Sequence, residues 1–107
     1  MSKINIAIVM PVYNDWTSFR LLVLDLAKAL SGSNCSVEII AVDDCSSESA
    51  PEEIVAKSPI EKITTLELRG NMGHQRAIAI GLMAISDRPD IDYVVVREES
   101  CFQAGLN

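Results

Sequence analysis

Residues 4–10 and 37–42 form two nearly unbroken apolar runs, rich in Ile, Val and Ala. A strand with no polar alternation is covered on both faces, which is the condition of a central strand in a parallel sheet. Parallel strands cannot be joined by tight hairpins, so a crossover must lie between them. The stretch that follows the first run has the length and pattern for one. Phe19, Leu22, Val23, Leu26 and Leu30 recur at helical spacing, with Asp15 placed to cap the start and Gly32 to close the end. Pro11 is expected to stop the first strand.

The same alternation continues along the chain. Ser49-Ala50-Pro51-Glu52 has the form of a capping box with proline at the first helical position, opening a short helix over 51–57 that Ser58-Pro59 breaks. Residues 63–68 form a weaker strand in which Thr64, Leu66 and Leu68 alternate with Thr65 and Glu67, the pattern of a sheet edge. A third helix is predicted over 74–85, with Gly81 marking close packing against a neighbour. A turn at Asp87-Arg88-Pro89-Asp90 leads to a last apolar strand over 93–96. Strand-helix alternation implies right-handed crossovers in a three-layer α/β unit. Placing the two most apolar early strands inside and the half-polar third outside gives a parallel sheet ordered 3-2-1-4. Its switch point lies between the first and fourth strands. The fourth strand's outer edge is then unpaired, and an apolar edge invites self-association, so a homo-oligomer is expected there.

The chain's 107 residues suffice for one domain with a real core. A net charge of -6 argues against a nucleic-acid polymer as partner, because phosphate binding along a strand needs a basic face. It leaves room for a single nucleotide, which a few backbone amides and one Arg can hold. Cys35, Cys45 and Cys101 have no metal-ligand spacing and read as free thiols of a reducing cytosol, so a cytoplasmic location is expected. No signal-peptide pattern is present, and no run approaches the ~18 apolar residues of a membrane span.

Three loops converge at the carboxyl rim of such a sheet: 11–14, 43–46 and 71–76. Together they offer an aromatic face in Tyr13, the carboxylates Asp43 and Asp44, and a helix N-terminus with Arg76. That set can stack a base, accept its amide or imide hydrogens and neutralise a phosphate. Simpler roles stand beside these. Asp and Ser after a strand are ordinary turn formers, His74 reads as a surface residue, Cys45 as a small filler, and Arg76 could just cover helix surface. Gly73 is either a plain loop glycine or one that admits an anion close to the backbone. Other classes fit less well. A nicotinamide-binding domain needs G-x-G-x-x-G after the first strand, where this chain has no glycine, and the Gly-Lys-Ser/Thr of a P-loop is absent too. A phosphoacceptor signalling domain would carry acids after the first and third strands, where this chain has Tyr13-Asn14 and Gly70-Asn71.

Residues 6–14 (IAIVMPVYN), 38–46 (EIIAVDDCS) and 71–77 (NMGHQRA), in that order and spacing, resemble the family 2 glycosyltransferases. The resemblance covers residues 4–96 and implies the GT-A nucleotide-sugar-binding half, a Rossmann-like α/β fold. It implies an inverting transferase using a nucleotide-sugar donor, with UDP the expected carrier. Tyr13 would stack on or edge the base, Asp44 would hydrogen-bond it and Asp43 would support Asp44. Asn71, Gly73 and Arg76 would line the nucleotide, Arg76 at phosphate or ribose, and Pro11 and Val12 would shape the floor.

The resemblance also implies a divalent metal, Mn or Mg, held by an Asp-x-Asp motif after the fourth strand. Here that strand is followed by Arg97-Glu98-Glu99-Ser100, so no metal and no catalytic residue are assigned to this chain. Residues 1–96 read as the nucleotide-sugar-binding half-domain and 97–107 as a tail outside the family pattern. Such a chain is expected to transfer no sugar alone, and the intact protein is expected in the cytoplasm or at the inner face of a membrane. The alternative is a non-catalytic nucleotide-binding or protein-interaction module of the same α/β fold.

Overall fold

The computed structural model describes residues 3–47 and 58–97. The helix expected over 51–57 and the tail beyond Arg97 lie outside the described residues. Strand β1 (Ile4–Val12) is followed by helix α1 (Trp16–Ala29) and strand β2 (Cys35–Asp43). Strand β3 (Ile60–Glu67), helix α2 (His74–Ala84) and strand β4 (Tyr93–Val96) complete the order. The four strands form one sheet in the order β3-β2-β1-β4, and every pairing is parallel. Both the architecture and the order expected from the sequence are present.

The direction of travel explains the layers. The chain moves one way across the sheet from β1 to β2 and the other way from β3 to β4. Right-handed crossovers running in opposite directions place their helices on opposite faces. Side-chain alternation then sorts the core. Ile8, Met10 and Val12 of β1 and Val37, Ile39 and Ala41 of β2 pack with Trp16, Phe19, Val23 and Ala27 of α1. Ala7, Val9, Ile40 and Val42 pack on the other face with Ala77 and Ile85 at α2. Phe19 is fully buried and meets Trp16 edge-on, with ring centroids 5.5 Å apart. Side chains of this size contribute about 1.5–3 kcal/mol each when removed from water, so this cluster anchors α1.

The boundary of β1 differs from the expectation, because the strand runs through Pro11 to Val12. Even-numbered residues of β1 bond to β2. Ile4 N–H donates to Asn34 O at 3.1 Å and Asp44 N–H donates to Val12 O at 2.9 Å. Odd-numbered residues face β4, where Asp92 N–H donates to Asn5 O and Arg97 N–H to Val9 O. Pro11 is odd-numbered, and the last described β1–β4 pair is Val9 with Val96. Its missing N–H therefore faces a stretch without a described partner strand, and proline is tolerated there. Strand β3 also starts earlier than expected, at Ile60, with a register shift against β2 at Val37/Glu38.

Helix α1 has the expected cap: Asp15 Oδ1 accepts the Ser18 N–H at 3.2 Å. Gly32, at φ +84°, turns the chain after the helix toward β2. Helix α2 lies on β1 and β2. Strand β4 is exposed along its whole length, from 41% at Val96 to 63% at Tyr93, although its sequence is as apolar as a core strand. Its approach is fastened by Arg88. The guanidinium reaches Glu38 on β2 through Nη2 at 3.0 Å and Nη1 at 3.2 Å, and grips both carboxylate oxygens of Asp90 at 2.8 and 3.2 Å.

Two measurements test this packing. A Cβ at Gly81 would lie 2.6 Å from Val9 Cγ1 and 2.9 Å from Val42 Cγ2, both side chains of the buried sheet. Gly81→Ala is expected to lower stability by about 1–3 kcal/mol in urea unfolding despite its better helix propensity, because overpacking outweighs propensity here. The hydrogen bonds from Arg88 hold the Asp90 carboxyl below its usual value. A depressed carboxylate contributes stability above the ordinary carboxylate range and loses it as pH falls through the folded value. A chemical-shift titration should show Asp90 titrating low in the native chain and returning upward in Arg88→Ala.

Candidate functional site

The carboxyl ends of β1 and β2 and the loop entering α2 meet at one rim, and hydrogen bonds lock the three together. Asp43 and Asp44 continue the alternation of β2, so their side chains leave on opposite sides of the sheet. Asp44 follows Val42 toward the α2 face. It is only 3% exposed, and both of its oxygens are engaged: Met72 N–H donates to Oδ1 at 2.7 Å and Gly73 N–H to Oδ2 at 2.9 Å. A buried carboxylate needs such donors, since an unpaired one would carry a large desolvation cost. Asp43 is 5% exposed and turns the next residues back on itself, with Ser46 N–H donating to Oδ1 at 3.0 Å. Its carbonyl accepts from Cys45 N–H at 2.8 Å and Leu68 N–H at 2.9 Å, joining the rim to the end of β3.

A second fastening crosses from β1 to β2. Asn14 N–H donates to Ser46 Oγ at 2.8 Å. The Asn14 Oδ1 accepts from Ser47 N–H at 2.8 Å and from Ser47 Oγ at 3.2 Å. Three rim residues hold left-handed backbone: Asn14 at φ +60°, Cys45 at +61° and Gly73 at +86°. Of these, Gly73 is the N-cap of α2 and has no side-chain capping bond. A glycine suits this φ, and its N–H meets the Asp44 carboxylate, so the anion it admits in this structure belongs to the chain itself.

The sequence-predicted residues fall into two groups. Pro11, Val12, Asp43 and Asp44 are buried and form the floor, with the Val12 side chain in the α1-side core and its carbonyl bonded to Asp44 N–H. Tyr13, Asn71, Gly73 and Arg76 are exposed along the rim. Tyr13 is 47% exposed, and Arg76 has no ion-pair partner among the described residues. Ala77 N–H to Gly73 O, at 3.0 Å, is the first bond of α2, so the N–H groups of His74, Gln75 and Arg76 precede the helical ladder and face its open end. Asn14, Ser46 and Ser47 were not picked out from the sequence as site residues. Each is an ordinary turn former, and their partnership spans 32 to 33 residues, so it is visible only once the strands are paired.

No group of three or more His, Cys, Asp and Glu gathers to hold a metal ion among the described residues. Each oxygen of Asp44 accepts one backbone N–H, and no step is routed through a metal ion. Glu98 and Glu99 lie outside the described residues. Cys35 is a buried free thiol and Cys45 an exposed one, whose Sγ lies 3.6 Å from Arg69 O. No helix among the described residues is long and apolar enough to cross a membrane.

The polar rim lies at the carboxyl ends of the strands of an open parallel α/β sheet, the end at which such sheets in general take their ligands. The family model for glycosyl transferase family 2 matches residues 7–96, and the chain belongs to that family. Comparison with curated proteins and with solved structures gave no match.

The Asp44 contacts generate a prediction independent of any ligand. Asp44→Asn keeps the shape but turns an –NH₂ toward one of the two backbone donors. The variant is expected to lose about 1–3 kcal/mol of stability, the cost of stranding a buried polar group. Faster amide exchange at Met72 and Gly73 should accompany it, and unchanged exchange there would contradict the assignment.

Proposed function

We propose that this chain is the donor-binding part of a glycosyltransferase and takes a nucleotide sugar whose carrier is a uridine diphosphate. The observation that carries the reading is the convergence of three rim loops, hydrogen-bonded to one another, that carry an exposed aromatic ring and an exposed Arg76 with no ion-pair partner among the described residues. Tyr13 lies against the base. The Asp43–Asp44 turn reads the base edge through the lone pairs its backbone bonds leave free, since each carboxylate oxygen can accept more than one hydrogen. The diphosphate lies toward the start of α2, where the N–H groups of residues 74–76 and the Arg76 guanidinium supply positive potential. An anionic ligand can thus be held by a chain of net charge -6, because the field that matters is local.

Sugar transfer breaks the bond between the anomeric carbon and the diphosphate and forms one to an acceptor hydroxyl. The acceptor must lose its proton to a base, and the departing diphosphate must have its charge stabilised. Among the described residues, α2's start and Arg76 serve the second need by binding the diphosphate, and none is assigned to the first. The proposed work of this chain is therefore recognition and orientation of the donor.

Titration with UDP, followed by amide chemical shifts, tests the reading. Shifts are expected in residues 11–14, 43–46 and 71–76, with Tyr13→Ala weakening binding about tenfold through lost base stacking. If those amides stay still at millimolar UDP, the chain is a different kind of α/β module and the donor-site reading fails.

A further inference from the structure

At the rim, Asn14 of the first loop is bonded to two serines of the second. Asn14 follows Tyr13 directly and precedes the α1 cap. Its backbone is left-handed at φ +60°, a conformation that Asn tolerates far better than other side-chain-bearing residues. That conformation lets its N–H and its Oδ1 point to the same neighbouring loop. The N–H donates to Ser46 Oγ at 2.8 Å, while Oδ1 accepts from Ser47 N–H at 2.8 Å. Ser46 in turn donates its own N–H to Asp43 Oδ1 at 3.0 Å. The bonded path therefore runs from the residue beside Tyr13 to the first carboxylate of the pair. The ladder bond from Asp44 N–H to Val12 O joins the same two turns at their base, and the Asn14 bonds add a second tie farther out, where Tyr13 is half-exposed and Ser47 exposed.

We propose that Asn14 is a positioning residue: its two-way clasp on Ser46 and Ser47 sets the separation between Tyr13 and the Asp43–Asp44 turn. A planar base would then find its stacking face and its hydrogen-bond edge at the right spacing before it arrives. This role rests on the donor-site reading above. Preorganisation of this kind raises affinity by removing the ordering cost of two loops at the moment of binding. It also accounts for strain at the rim, since a non-glycine residue in the left-handed region persists where its surroundings determine it.

The experiment uses three variants with UDP as the probe. Asn14→Gly keeps the left-handed backbone and removes the acceptor for Ser47. Asn14→Asp keeps an acceptor oxygen in the same place. Ser46→Ala removes only the acceptor for the Asn14 N–H and serves if Asn14→Gly does not fold. Two readouts are taken: amide exchange at Ser47 without nucleotide, and the dissociation constant for UDP from chemical shifts. Asn14→Gly should speed exchange at Ser47 and weaken UDP about tenfold, the effect of losing one net hydrogen bond's worth of positioning. Asn14→Asp should restore slow exchange at Ser47, and Ser46→Ala should weaken UDP in the same direction as Asn14→Gly. A wild-type chain that binds UDP while Asn14→Gly and Ser46→Ala both bind within twofold of it overturns the positioning role alone. So does a variant that melts earlier with its affinity intact, which would make Asn14 merely structural. A wild-type chain that does not bind UDP at all defeats the donor-site reading, and the positioning role falls with it.

Discussion

The rim depends on one buried carboxylate. Asp44 directly follows β2, the most buried strand of the sheet, and accepts the N–H groups of Met72 and Gly73 at the entrance to α2. It ties a strand to a helix that follows it by thirty residues, and it does so at the end of the sheet where a ligand would bind. A neutral residue there would meet the two convergent N–H donors without the charge that strengthens both bonds, in a site that water barely reaches. The Gly73 backbone, at φ +86°, follows from the same need, since the chain must turn sharply to bring its amide onto the carboxylate.

Packing and site are connected through the same helix. The close approach of α2 at Gly81 to Val9 and Val42 fixes its height over the sheet, and the Asp44 contacts fix its starting point. With both settled, the open N–H groups of its first turn are aimed along the rim and not left to swing. The approach is asymmetric: α2 covers β1 and β2, while every residue of β4 stays exposed. The conformational freedom of the site is thereby confined to the loops, which sit on elements held by the core.

Much of this was legible in the residues. Unbroken apolar runs in β1 and β2 announced central parallel strands, the half-polar β3 announced an edge, and handedness did the rest. Gly81 was legible too, because a glycine inside an apolar helix is costly unless something lies close. Pro11 misled, since its effect depends on which neighbour its missing N–H faces, and that is a property of strand order, not of local sequence. The clasp of Asn14 and the fork of Arg88 were hidden for a related reason. Asn14 reaches serines 32 and 33 positions away and Arg88 reaches Glu38 50 positions away, through residue types that are common on any surface.

The proposed anion site has to be squared with an acidic chain, and the rim's charge placement bears on this. Asp43 and Asp44 are both buried, and the bonds described above spend their charge on backbone N–H groups of the loops. A carboxylate so engaged projects less negative potential than a free one, while Arg76 and the first turn of α2 stay exposed on the solvent side. The acids stabilise the loops from below, and the positive end of the helix faces outward. Moving a carboxylate from the floor to the rim would keep the net charge at -6 and abolish this separation. Placement, more than total charge, therefore decides what the rim can hold.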